Sequence, residues 1–363
     1  SKVISEINME KSLVNSSKMH NDFTSEGTLV AEDNEPGVPS MFLNGGGDTE
    51  IDLRNAIAKL KDEMNATIMA HYYQDIEIQD VADFIGDSLQ LARYAADADA
   101  DVIVFCGVHF MAESAKILAP DKLVLLPDLD AGCSLADSAP ADEFEAFVKE
   151  YPDHTVITYV NSSAAVKAMS DYCCTSSNAV EVVKNIPEDQ PIIFGPDRFL
   201  GDWVERETGR RMLLWQGSCE IHELFSEQKI AELKQENPRA ITLVHPECPE
   251  AVRALGDVIG STKKLLDAVK ESPSDAEYIV VTEPGIIHQM KQVKPNSRYI
   301  MAPAEISGSE KGACTSCNTC PHMRLNTLEK LYRCMERRAP SIELEAELIE
   351  RARLPIERML AVG

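Results

Sequence analysis

Three short apolar runs, each closed by a polar ring, set the pattern of the chain. They are Thr67-Ile68-Met69-Ala70-His71, Thr155-Val156-Ile157-Thr158-Tyr159 and Ile241-Thr242-Leu243-Val244-His245. Runs of this length, rich in β-branched residues, predict buried strands. Seventeen residues beyond each ring stands a hydroxyl, Ser88, Ser176 and Thr262. Five residues before each hydroxyl stands an aspartate, Asp83, Asp171 and Asp257. Successive copies lie 88 and then 86 residues apart, the mark of a threefold repeat. After each hydroxyl the apolar residues fall at helical spacing: Leu91, Ala92, Ala95; Ala179, Val180, Val183; Leu265, Leu266, Val269. Each hydroxyl therefore falls near a helix N-terminus. Two further strands are expected in every copy, over 102–105 and 123–126, 191–194 and 212–215, 278–281 and 299–301. Alternating strands and helices predict an α/β fold of three similar Rossmann-like units, with parallel sheets around a pseudo-threefold axis. The expected units cover 51–134, 135–220 and 221–324, and helical segments within 325–363 are expected to pack back on the first.

Charge narrows the function classes. Against 35 Lys and Arg stand 60 Asp and Glu, a net charge of −25 in 363 residues. Such a field repels nucleic-acid phosphates and anionic lipid headgroups, so neither nucleic acid nor a membrane is an expected partner. No apolar run approaches the roughly 20 residues that span a bilayer. Residues 1–50 are acid-rich, contain no Arg and no apolar h-region, and are expected to form a disordered extension rather than a secretory or transit leader. A cytoplasmic location follows as the expectation. In that reducing setting the ten cysteines, clustered at Cys173-Cys174 and Cys314/Cys317/Cys320, read as metal or redox groups rather than disulfides.

Ligands of open parallel sheets bind beyond the carboxyl ends of the strands, where helix N-termini offer free N–H groups. Three such edges turned inward bring His71, Tyr159, His245, Ser88, Ser176 and Thr262 to one pocket for an anion. The hydroxyls read equally as helix caps. Each unit also carries a cysteine after its last strand: Cys133, Cys219 and, in the third, Cys320. Three thiolates can hold a 4Fe-4S cluster and leave one iron open as a Lewis acid, which points to dehydration or condensation chemistry.

Several blocks carry a resemblance. They are Met69-Ala70-His71-Tyr72-Tyr73-Gln74, Gly86-Asp87-Ser88-Leu89, Gly132-Cys133-Ser134-Leu135-Ala136-Asp137, Tyr159-Val160-Asn161-Ser162 and Cys174-Thr175-Ser176-Ser177-Asn178. Then follow Trp215-Gln216-Gly217-Ser218-Cys219-Glu220-Ile221-His222-Glu223, His245-Pro246-Glu247-Cys248, Gly260-Ser261-Thr262 and Cys320-Pro321-His322-Met323. In this order, over about residues 70 to 325, they resemble quinolinate synthase, the iron–sulfur enzyme of bacterial and plastid NAD biosynthesis. The resemblance implies a transferase with three α/β domains around a pseudo-threefold axis. It implies condensation of iminosuccinate with dihydroxyacetone phosphate to quinolinate, phosphate and two waters, and a functional link to an enzyme that oxidises L-aspartate. It implies Cys133, Cys219 and Cys320 as ligands of a 4Fe-4S cluster. His71, Ser88, Tyr159, Val160, Asn161, Ser176, His245, Pro246, Glu247 and Thr262 would hold the dicarboxylate and intermediates, and Tyr73, His222 and Glu247 would move protons.

One departure concerns the third unit. Thr262 and Cys320 are 58 residues apart, against 45 from Ser88 to Cys133 and 43 from Ser176 to Cys219, an insertion that includes 307–319. Cys320 is the choice among Cys314, Cys317 and Cys320 because Pro-x-Met follows it. Two other readings remain: a zinc or redox module of Cys314, Cys317, Cys320 and His322, and an NAD-linked oxidoreductase. The second lacks any Gly-x-Gly-x-x-Gly after a candidate strand.

Overall fold

A computed structural model describes residues 48–304 and 318–362. Cys314, Cys317 and the expected extension up to residue 47 lie outside the described residues. Asp48–Met64 is a helix, so residues 48–50, which the sequence assigned to the extension, are helical instead.

The apolar runs form strands β1 (Ala66–His71), β5 (Thr155–Tyr159) and β9 (Ile241–Val244). The other expected strands are β3 (Val102–Cys106), β4 (Leu123–Leu125), β7 (Ile192–Gly195), β8 (Leu213–Leu214), β11 (Glu277–Val281) and β12 (Arg298–Met301). Three strands were not anticipated, β2 (Phe84–Gly86), β6 (Tyr172–Cys174) and β10 (Val258–Ile259). All pairings are parallel, in three four-stranded sheets of one topology: β2-β1-β3-β4, β6-β5-β7-β8 and β10-β9-β11-β12. The central strands are predominantly apolar because both faces are covered; Ile68, Met69, Ala70, Val102, Ile103 and Val104 are fully buried.

The repeated aspartates join the unexpected strands to the sheets. The carboxylates of Asp83, Asp171 and Asp257 accept from the N–H groups of Ile68, Val156 and Thr242, each at 2.8 Å. In return their own N–H groups donate to the carbonyls of the same three residues, at 2.8–2.9 Å. An aspartate can bracket one residue from both sides in this way, which no aliphatic side chain can do. It thereby fixes the register of a strand too short to fix its own.

Helices Ser88–Ala96 and Thr262–Glu271 begin where expected and bury Leu91, Ala92, Ala95 and Leu265, Leu266, Val269. In the second unit the helix is shorter, Ala179–Lys184, and buries Ala179, Val182 and Val183. The C-terminal helices differ from the expected packing. Leu328–Arg337 lies against Asp48–Met64 in the first unit, but Ala346–Ala361 lies chiefly against helix Ala164–Ala168 and β6 in the second. At the end of this helix Asn178 Nδ2 donates to the carbonyls of Met359 and Val362, at 3.2 and 3.1 Å, and Ala352, Ile356 and Met359 are buried in the core.

Replacing one clasp tests its worth. Asp171→Ala removes the only side-chain partner shown for Val156 N–H, and we expect a loss of about 1–2 kcal/mol. It should appear as a lower midpoint in urea denaturation at unchanged slope. An unchanged midpoint would show that the clasp is ornamental.

Candidate active site

The carboxyl ends of the three sheets face one cavity. Its wall contains His71, Tyr73 and Ser88 from the first repeat, Tyr159, Asn161 and Ser176 from the second, and His245, Glu247 and Thr262 from the third. Cys133, Cys219, His222 and Cys320 line the same space. Of the sequence-derived site residues, Val160 and Pro246 alone do not line it. Both are buried directly behind a ring residue.

The hydroxyls prove not to be caps. Asp87 caps Ser88–Ala96, accepting from Gln90 N–H, and Ser261 caps Thr262–Glu271, accepting from Lys264 N–H. Ser88 and Thr262 stand one residue later, on the first helical turn, where both line the cavity and Thr262 Oγ1 is 3.1 Å from the Tyr73 hydroxyl. Ser176 precedes a helix whose N-cap residue is Asn178, and it lies 3.4 Å from His245 Nε2.

Both histidines are held in one tautomer by the same turn. The N–H of Tyr73 donates to His71 Nδ1 at 3.1 Å, and that of Glu247 to His245 Nδ1 at 3.3 Å. A neutral ring that accepts at Nδ1 carries its proton on Nε2. Burial lowers both rings from 6.5 to about 3, against the pull of the nearby Glu247 charge. They are therefore neutral donors rather than cations.

Glu247 is the buried charge of the site. Burial opposes its ionisation, but the neighbouring His222, together with hydrogen bonds from His222 and Tyr159, outweighs that cost and holds the carboxyl below its ordinary value. His222 Nδ1 is 2.9 Å from one carboxylate oxygen, and the Tyr159 hydroxyl donates to the other at 2.5 Å. Cys219, His222 and Glu247 offer ligand atoms within 4.8 Å of one another. The ring and the carboxylate already satisfy each other, so the trio reads as a hydrogen-bonded set.

The three cysteines share one setting. Cys133 and Cys219 stand at the N-cap positions of short helices, Ser134–Asp137 and Glu220–Glu223, and Cys320 stands just before the 3-10 turn Met323–Leu325. In each case the N–H groups two and three residues on favour the thiolate: Leu135 and Ala136, Ile221 and His222, His322 and Met323. Burial works against them, pushing Cys133 up to about 12, Cys320 up to about 11 and Cys219 well above its ordinary value.

Among the residues that escaped the sequence reading are Glu283, which lines the cavity, and Thr282, which is not a lining residue but contacts two that are. Thr282 lies 2.7 Å from the Tyr73 hydroxyl and 2.9 Å from His222 Nε2. Glu283 accepts from the N–H groups of Gly285 and Cys320 and from Arg324, at 2.6, 3.3 and 2.6 Å. Burial lifts it to about 7 against the pull of Arg324. Their signal was present: both follow β11 directly, at the edge where ligands bind.

The neutral histidines give the fold a pH dependence. An unfolded histidine takes up its proton near pH 6.5, whereas His71 and His245 refuse theirs until about 3. Between those values the unfolded chain binds more protons, so this part of the stability is complete above about pH 6.5 and falls as pH drops toward 3. Ring ¹⁵N NMR at about pH 5 should find both rings neutral; imidazolium signals from either would contradict the assignment.

Comparison with known proteins agrees with this geometry. A family model described as NadA, quinolinate synthetase A protein, matches residues 55–361. A quinolinate synthase of Gloeothece citriformis (strain PCC 7424) is 60% identical over 312 residues, 86% of this chain and 94% of that protein. One from Thermosynechococcus vestitus (strain NIES-2133 / IAM M-273 / BP-1) is 59% identical over 313 residues, 86% and 96% of the two chains. One from Prochlorococcus marinus (strain MIT 9303) is 56% identical over 312 residues, 86% and 91%. A match over nearly all the described residues, on a chain whose three parallel sheets converge on one cavity, means that this protein belongs to the quinolinate synthetase A family.

Proposed function

We propose that the chain condenses iminosuccinate with dihydroxyacetone phosphate, releasing phosphate and two waters and closing the pyridine ring of quinolinate. The observation that carries this reading is the meeting of three thiols, one from each α/β unit, with the histidines and hydroxyls of the repeat on one cavity. The units are taken as about 51–134, 135–220 and 221–324. A location in the cytoplasm is part of the same reading; among the described residues no helix is long and apolar enough to cross a membrane.

The donor set fits a 4Fe-4S cluster. Cys133, Cys219 and Cys320 are the cysteines among the described cavity-lining residues, and each sulfur faces two backbone N–H groups that favour its anionic form. These three residues would hold the cluster, which when bound supplies a Lewis-acid iron without a protein ligand.

The remaining work falls to side chains. His71 and His245, neutral and protonated at Nε2, donate to carboxylate or carbonyl oxygens of the substrates. Ser88, Ser176 and Thr262 add hydroxyls. The N-termini of Ser88–Ala96 and Thr262–Glu271 favour negative charge, by about 0.3–1 kcal/mol each and more in a dry site. Asn161 contributes a buried Oδ1 with no protein partner, an acceptor suited to a substrate N–H or O–H. Val160 and Pro246 act through the backbone, setting the turns that present Asn161 and Glu247. Ring closure requires protons to leave carbon and return elsewhere. Glu247, ionised and backed by His222, accepts them, with Tyr73 assisting at the cavity wall.

Two results would test this together. Protein purified without oxygen should carry about four iron and four sulfide per chain. Both should be lost when Cys133, Cys219 or Cys320 is replaced but kept in Cys106→Ala, since Cys106 is buried in the core away from the cavity. One zinc per chain with no sulfide would overturn the proposal. Glu247→Gln should keep iron and sulfide yet lower quinolinate formation about 100-fold or more, and unchanged turnover would remove Glu247 from the chemistry.

A further inference from the structure

We infer that Lys167 is a positioning residue for the reaction, its side chain holding the turn that presents Asn161 to the cavity, an inference that rests on the synthase reading above. Lys167 belongs to the short helix Ala164–Ala168 of the second unit and is fully buried. Its Nζ donates to the carbonyl of Val160 at 2.7 Å and to that of Ser162. Those two carbonyls flank Asn161. The Val160 carbonyl also accepts from the N–H of Ser162 at 2.8 Å, which closes a three-residue turn with Asn161 at its apex. Lys167 thus fastens the closing point of that turn, and the buried Oδ1 of Asn161 that the turn presents has no protein partner.

The repeat shows why the second unit needs this device. In the first and third units the residue two beyond the ring ties its N–H to Nδ1 of the ring histidine, Tyr73 to His71 and Glu247 to His245. Tyr159 offers no such acceptor: its one polar ring atom is the hydroxyl, and that is engaged with Glu247. The loop must be held from outside. The eighth residue past each ring, Gln79, Lys167 or Arg253, is polar and buried in all three units. Gln79 Nε2 donates to the carbonyls of Tyr72 and Gln74, at 3.0 and 2.9 Å, the same two loop positions that Lys167 serves. Arg253 instead donates to the Phe199 carbonyl and to Asp202 of the second unit. The first unit therefore carries both devices, the third carries the histidine, and the second relies on the clamp.

A lysine suits the place because one nitrogen can serve two carbonyls and an aromatic face together. The ring centroid of Phe110, which lines the cavity, is 5.4 Å from Nζ. Lysine is almost never fully buried without such partners, because its polar head must be taken out of water. The helix that carries Lys167 is itself tied to the first unit, where Glu113 Oε2 accepts from the N–H of Ala164 at 2.9 Å. Without the lysine donors the turn is released, and Asn161 no longer holds one orientation toward a bound ligand. An acceptor that binds ligand in the ground state and the transition state alike is lost in this way, so the effect falls on KM more than on kcat.

The test is a double-mutant cycle on the iron-loaded enzyme, pairing Lys167→Met, which keeps the length of the side chain and removes the donors, with Asn161→Ala. At equal iron content, Lys167→Met should raise KM for one of the two substrates about tenfold with kcat within about threefold. Beside Asn161→Ala it should add less than about twofold, because the group it positions is already gone. Lys167→Gln, whose amide donor lies one bond closer to the backbone, should give an intermediate rise of about threefold. Unchanged kinetics in Lys167→Met, whatever its stability, overturn the inference, as does a KM effect that multiplies in full with that of Asn161→Ala. If Lys167→Met does not fold, Lys167→Gln decides: a rise seen only where Asn161 is present supports the clamp, and no rise, or one undiminished beside Asn161→Ala, overturns it. A loaded wild type that makes no quinolinate overturns the underlying synthase reading, and the role of Lys167 with it.

Discussion

A carboxylate without solvent sits where the three sheets meet, and the rest of the site is arranged around the cost of keeping it charged. Glu247 gains its compensation from His222 in its own unit and from Tyr159 in the second. The first unit reaches the same group through Tyr73 and Thr282. No single α/β unit could hold this charge, because each supplies only part of the hydrogen bonding. Removing one partner from a buried charge costs several kcal/mol, so the side chains that form the site also fasten the units together. Asp87 plays a similar part on the other side, capping a helix of the first unit and accepting from Ser177 of the second at 2.7 Å.

The repeat gives this arrangement its economy. One short loop, ring then any residue then a third, places three different chemistries on the cavity: Tyr73, Asn161 and Glu247 all stand two residues beyond the ring. In the first and third copies the N–H of that residue also fixes the tautomer of the histidine before it. The cysteines follow a second repeated device, a sulfur ahead of two free N–H groups at the start of a helical turn. The same backbone is used three times, and function is written in the departures from symmetry.

The spacing of ring, aspartate and hydroxyl was enough to read the threefold α/β plan and to bring the rings and hydroxyls to one cavity, whereas Tyr73, Asn161, His222 and Glu247 came only from the family resemblance. Strands β2, β6 and β10 escaped because two or three residues cannot display a period, and only the aspartate before each betrays its place. The hydroxyls were ambiguous for a physical reason: at a helix N-terminus, cap and ligand-binding position are adjacent, and Asp87 and Ser261 had to be seen in place to release Ser88 and Thr262. The last helix lies chiefly against the second unit, and part of what holds it there, the bonds from Asn178 to backbone carbonyls, leaves no trace in side-chain pattern. Thr282 and Glu283 went unread because the repeat was aligned on its first strand and not carried through to its third.

Iron-edge anomalous diffraction from crystals grown without oxygen tests the central claim most directly, that three thiols distant in sequence serve one cluster in the shared cavity. The account predicts one compact iron peak bounded by the sulfurs of Cys133, Cys219 and Cys320, on the same cavity as Glu247 and the two neutral histidines. Iron held by Cys314, Cys317 and Cys320 away from Cys133 and Cys219 would contradict it.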